Sequence, residues 1–154
     1  MNKIGIVSGY FAPIHLGHIQ YIQSADQRCD KLIVIVNNDL QTKLKGSVPF
    51  LDENHRAAIV NEIKGVDEVM ISIDEDSSVC RSIKCIYKKN KSPGNVFFFF
   101  NSGDRPPENF NSAESKLCEK LGIDNVYIEL PKICSSSTIM EKICDQRNKK
   151  DGSK

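Results

Sequence analysis

Five short runs along the chain carry apolar residues at consecutive positions: KIGIVS (3–8), KLIVIV (31–36), DEVMISI (67–73), NVFFFF (95–100) and NVYIEL (125–130). Runs rich in Val, Ile and Phe without polar alternation predict strands buried on both faces, as in a parallel sheet covered by helices. The segments between them place apolar residues at helical spacing, over 15–29, 53–64, 78–89 and 112–122, and 135–144 follows the last strand. In the first of these, Leu16, Ile19, Ile22 and Ala25 form one stripe. This alternation predicts an α/β fold, doubly wound, with a parallel five-stranded sheet and helices on both faces. The FFFF run reads as a buried central strand.

In open sheets of this kind ligands bind beyond the carboxyl ends of the strands, where the strand order reverses. The unusual residues collect there. GYFAPIHLGH follows the first strand, the long polar loop NNDLQTKLKGSVPF the second, NSGDRPPEN the fourth and PKICSSST the fifth. The chain reads as one domain over 1–144, and the polar 145–154 is set apart as a tail expected to be disordered.

Composition narrows the partners. With 154 residues and a formal charge of +1, no global electrostatic footprint for nucleic acid or membrane exists, so anion binding must come from a local arrangement. No apolar run reaches transmembrane length, and MNKIGIVSG lacks the pattern of a signal peptide, so a cytoplasmic setting is expected. Six cysteines at irregular spacing, with no CxxC, are expected to be mostly buried thiols in a reducing compartment.

His15 and His18, three residues apart at the mouth of the first helix, admit three readings: a metal site, a pair of buried structural imidazoles, or a cradle for phosphates. A zinc site needs three or four ligands. No matched Cys or His set accompanies the pair, and His55 is the only other histidine, so no metal ligand is assigned. The phosphate reading accounts for more. A turn holding Gly9 and Pro13 delivers the chain into a helix whose first N–H groups attract anions, and Gly17 allows close approach. Two imidazoles would add donors where charge builds during displacement at phosphorus. GxxxxGK[ST] is absent, as is GxGxxG after the first strand, which excludes a Walker-type NTPase and an ordinary dinucleotide-binding dehydrogenase.

GYFAPIHLGH resembles the G-x-F-x-P-x-H-x-G-H signature of the HxGH nucleotidyltransferases, the cytidylyltransferase-like superfamily. SSST in KICSSSTIMEKI resembles its second signature, and KLKGSVPFLDENHRAAIV resembles the Lys-Gly and downstream Arg segment of the glycerol-phosphate cytidylyltransferase and heptose-phosphate adenylyltransferase branches. The motifs span nearly the whole chain in the right order. The resemblance implies a Rossmann-like fold and transfer of NMP from an NTP to a phosphorylated small alcohol or sugar phosphate, with Mg²⁺ and release of pyrophosphate. CTP is the expected nucleotide, and ATP with a sugar phosphate is the close alternative.

Carried over by position, His15, His18 and Lys45 would be catalytic. Gly9, Tyr10, Phe11, Gly17, Asp104, Arg105, Ser135, Ser136 and Ser137 would bind the nucleotide. Lys43, Arg56 and Lys132 would meet acceptor or phosphates. Solvated lysines, a surface Arg56–Glu53 pair and turn-making before Pro106–Pro107 are the rival roles for Lys43 and Lys45, for Arg56, and for Asp104 and Arg105. Ala12 stands where many relatives carry Asp or Asn, which keeps a non-catalytic nucleotide-binding regulatory domain in view. Nothing in the sequence opposes a homodimer.

Overall fold

The computed structural model describes residues 2–48, 50–103, 112–130 and 136–152, with side chains at all of these except 136, 137 and 150–152. Five parallel strands, β1 (Asn2–Gly9), β2 (Lys31–Val36), β3 (Glu68–Ile71), β4 (Asn95–Ser102) and β5 (Asp124–Ile128), form one sheet in the order β3-β2-β1-β4-β5. The chain moves outward from β1 to β3, then crosses back to lay β4 on the other side of β1. The reversal between β1 and β4 is the switch point of a Rossmann-like fold.

Alternation along each strand divides the core in two. Ile4 and Ile6 of β1, Ile33 and Ile35 of β2, and Phe97 and Phe99 of β4 pack with Val79, Ile83 and Ile86 around helix α4 (Cys80–Asn90) and with Cys118 of α5 (Ala113–Leu121). Val7, Leu32, Val34, Val36 and Phe100 face the other way, onto Ile22 and Ala25 of α1 (Leu16–Asp26) and Val60 of α3 (Glu53–Asn61). β4 lies between β1 and β5, so the FFFF run is an interior strand, as its composition predicts.

Three expectations change. The long loop after β2 contains a helix, α2 (Asp39–Leu44), begun by a reciprocal cap in which Asn38 Oδ1 accepts from Gln41 N–H at 2.9 Å and Gln41 Oε1 from Asn38 N–H at 3.0 Å. The last helix, α6 (Ser136–Gly152), continues through most of the segment set apart as a tail. Among the described cysteines Cys118 is buried and Cys29 and Cys80 are half-buried, but Cys85 and Cys144 are exposed, so the thiols are not mostly internal. α4 turns Ser82, Ile83 and Ile86 inward and leaves Cys85 outside.

Candidate active site

The site is built on the six residues that carry β1 into α1. Asn37 N–H donates to Gly9 O at 2.9 Å, which holds the ends of β1 and β2 level. Phe11 follows in the left-handed region at φ 52°, a strained conformation for a residue with a side chain. Burial holds it there: the ring is 3% exposed and belongs to the α1–α3 core. Gly9 makes room, because a Cβ at that position would lie 2.9 Å from Cζ of Phe11. The ring meets His18 edge-on, with centroids 5.0 Å apart.

His15 caps α1 and His18 sits in its first turn. Each ring takes a backbone proton: His15 Nδ1 accepts from Gly17 N–H at 3.1 Å, and His18 Nδ1 accepts from His15 N–H at 3.2 Å. The rings stack with centroids 3.9 Å apart and planes 25° apart. Burial, helped by His15 and then Lys45, pushes the His18 pKa down to about 4, and burial also lowers that of His15. Both rings are therefore neutral near pH 7. A neutral imidazole whose Nδ1 accepts must carry its proton on Nε2, so each ring presents an Nε2–H donor away from the backbone.

This revises the role expected of the helix terminus. The amides of His15, Gly17 and His18 already have partners within the turn, the last donating to His15 O at 3.0 Å. They are not aimed outward at an anion. The helix instead hands its donor capacity to two imidazoles, whose Nε2–H groups reach further and stay fixed. Gly17 acts here through its amide, and both rings are half-buried rather than sealed in the core.

Lys45 joins them from the other side. Gly46, at φ 83°, ends α2, with its N–H donating to Lys43 O at 2.9 Å. Lys45 is thereby the last residue before the reversal, and its Nζ lies 4.4 Å from the centroid of the Tyr10 ring. Its charge is felt at His18. Tyr10, His15 and His18 thus meet Lys45, a residue distant in sequence, at the carboxyl ends of β1 and β2. Lys43 is exposed in the last turn of α2.

Arg56 does something the sequence did not suggest. It is neither a surface partner of Glu53 nor turned to the open face, for it is 1% exposed. Its Nε donates to Leu51 O at 3.1 Å, Nη1 to Tyr10 O at 2.8 Å and Asn37 O at 2.7 Å, and Nη2 to Asp39 Oδ1 at 2.8 Å. The guanidinium knots the turn after β1 to the ends of β2, α2 and the start of α3, and positions Tyr10 from behind. Asp39, overlooked in the sequence, anchors that knot; the Asn38-x-x-Gln41 cap beside it was the available signal.

α6 begins at Ser136. Asp104, Arg105, Lys132 and Ser135 lie outside the described residues. Among the described residues no group of three or more His, Cys, Asp or Glu is placed to hold a metal ion, and no helix is long and apolar enough to cross a membrane.

The cytidylyltransferase-like family matches residues 6–144. The chain is similar to FAD synthase of Thermoplasma acidophilum, 38% identical over 71 residues, 46% of this chain and 50% of that protein. It is similar to bifunctional protein HldE of Actinobacillus succinogenes, 30% identical over 151 residues, 96% of this chain and 29% of that protein. The chain thus spans half or less of the length of these relatives. Among solved structures it resembles TmcAL of Thermotoga maritima, bound with alpha-thio ATP, with a TM-score of 0.65 at 15% identity over 96% of this chain and 51% of that one. At that identity the likeness is one of fold.

Proposed function

The chain belongs to the cytidylyltransferase-like family, and from that premise we propose that it transfers a nucleotidyl group from an NTP to a phosphorylated small molecule and releases pyrophosphate. The observation that carries this reading is the pair of fixed Nε2–H donors on His15 and His18 with the Lys45 ammonium beside them. An oxygen of the acceptor phosphate attacks the α-phosphorus; the bond from that phosphorus to the α–β bridging oxygen breaks, and its electrons leave with pyrophosphate. No side-chain nucleophile is needed, so the protein contributes position and charge stabilisation.

The two imidazoles suit that task because they are neutral and locked. With the His18 pKa near 4, the ring donates a hydrogen bond without giving up a proton, and the cap needs no rearrangement as charge develops on the phosphoryl oxygens. Lys45 supplies a mobile point charge on a four-carbon stem, able to follow a phosphoryl group as it moves. Asp104 and Arg105, which follow β4, are assigned to the nucleotide; Lys132 and the turn Ser135–Ser137, which follow β5, to phosphates. Mg²⁺ accompanying the NTP would be held mainly by phosphate oxygens and water, as a hard cation prefers, and would supply neutralisation of phosphate charge.

Of the two nucleotides, ATP is the one we adopt. A relative named FAD synthase makes a product containing an adenylyl group, and the TmcAL structure holds an ATP analogue. A cytoplasmic setting, where NTPs are abundant and thiols stay reduced, fits this reading. A pyrophosphate-release screen of four NTPs against phosphorylated small molecules tests it. Turnover with ATP is expected, reduced about 10²–10³-fold in kcat by His18→Ala, as for loss of one preorganised donor. Turnover by a folded His18→Ala protein at the wild-type rate would refute the assignment.

A further inference from the structure

Behind the turn that carries the histidines lies a cavity walled by Phe11, Pro13 and Ile14 on one side and Phe50, Leu51 and Ile59 on the other. Its lining is almost wholly carbon. Arg56 also reaches it, but the guanidinium is committed to three carbonyls and Asp39. Phe50, Leu51 and Ile59 are 67%, 42% and 41% exposed, a large apolar surface to leave wet beside a polar site.

The cavity adjoins the histidine turn. Phe11 is a shared wall, lining the cavity and touching His18 with the edge of its ring. Ile14 immediately precedes His15. The Tyr10 carbonyl is held by Arg56 while its ring lies under Lys45. The cavity lies on the β2–α3 side of the turn, whereas the switch-point crevice lies between β1 and β4. A nucleotide seated in that crevice leaves the cavity to the second substrate.

Resting on the reading above, we propose that this cavity takes the body of the phosphorylated acceptor, and that this body is an apolar ring system rather than a polyol or sugar. A hydroxyl buried here would lose its water partners against walls that are almost wholly carbon, a penalty that disfavours polar bodies. A ring would displace water from Phe50, Leu51 and Ile59 and stack within reach of Phe11, with its phosphate directed past Ile14 toward His15, His18 and Lys45. This departs from the small alcohol or sugar phosphate that the sequence suggested.

Calorimetry with the full chain tests this, using 4-methylumbelliferyl phosphate and ribose 5-phosphate, each in the presence of a non-hydrolysable ATP analogue. The aryl ester should bind about tenfold or more tightly than the ribose ester, given the apolar area a ring would bury. Ile59→Asp and, separately, Phe50→Ser should abolish that preference while the ATP analogue binds as in wild type; both positions are exposed enough to be changed without unfolding α3. Equal binding of the two esters beside intact ATP-analogue binding would overturn the cavity's role. So would a preference that survives both substitutions. Sedimentation in which Phe50→Ser splits a dimer but leaves aryl binding unchanged would assign the patch to a second copy of the chain and overturn it too. Failure of the ATP analogue itself to bind would instead remove the nucleotidyl-transfer reading.

Discussion

Acidification from pH 7 toward pH 4 should destabilise the fold through His18, and by an amount the structure fixes. The unfolded ring binds its proton near 6.5; in the fold, burial beside His15 and Lys45 lowers this to about 4. Between those values the unfolded state holds more protons than the folded one, so the free energy of unfolding falls as pH falls. The contribution is complete above 6.5 and is gone once pH reaches about 4. A difference of that size corresponds to about 3 kcal/mol, and the ring's partial contact with solvent brings the expected effect nearer about 2 kcal/mol. Protonation of Nδ1 would also turn an acceptor into a donor facing His15 N–H, which dissolves the cap.

The assay is urea unfolding followed by circular dichroism at several pH values from about 7 to about 4.5, on wild type and His18→Asn. Asn keeps a side-chain acceptor for the His15 amide but does not titrate. The variant will differ in overall stability, so the pH slope is the readout, and the wild-type slope should be steeper by about 2 kcal/mol over the window. Nitrogen-detected NMR gives the second measurement, with the His18 proton expected on Nε2. Parallel slopes, an Nδ1–H tautomer or a His18 titration at the ordinary value would each refute the derivation.

Lys45→Ala should raise KM for the acceptor far more than it weakens the ATP analogue in calorimetry, because its charge lies over Tyr10 on the β2 side of the site; equal effects on both ligands would contradict that position. Arg56→Leu should cost about 3–5 kcal/mol in urea unfolding, since Asp39 and three carbonyls lose their donor, and a loss under about 1 kcal/mol would mean the knot is not structural. Gly9→Ala forces the Phe11 ring to move from a buried position, so a loss of about 1–3 kcal/mol in urea unfolding and an altered His18 titration by NMR are expected together.

The apolar runs alone determined the strand count and their burial, because only a sheet covered on both faces can hide residues such as Val34 and Ile35 or Phe99 and Phe100 on opposite sides at once. The motifs likewise determined which strand ends carry chemistry. Local signals did not locate α2 within its polar loop, although Asn38 and Gln41 form its cap, since so short a helix has no apolar stripe to announce it. The state of the histidines was a tertiary decision. Spacing put His15 and His18 in one turn, but their neutrality comes from burial, joined at His18 by His15 and then by Lys45, 27 residues further along the chain. Arg56 shows the same limit most plainly. In sequence a charged residue near a Lys-Gly motif reads as a phosphate ligand; in the fold it is buried because three carbonyls and a carboxylate, contributed by separate segments, converge where it lies. A sequence records which groups can bond, and only packing decides which of them water no longer reaches.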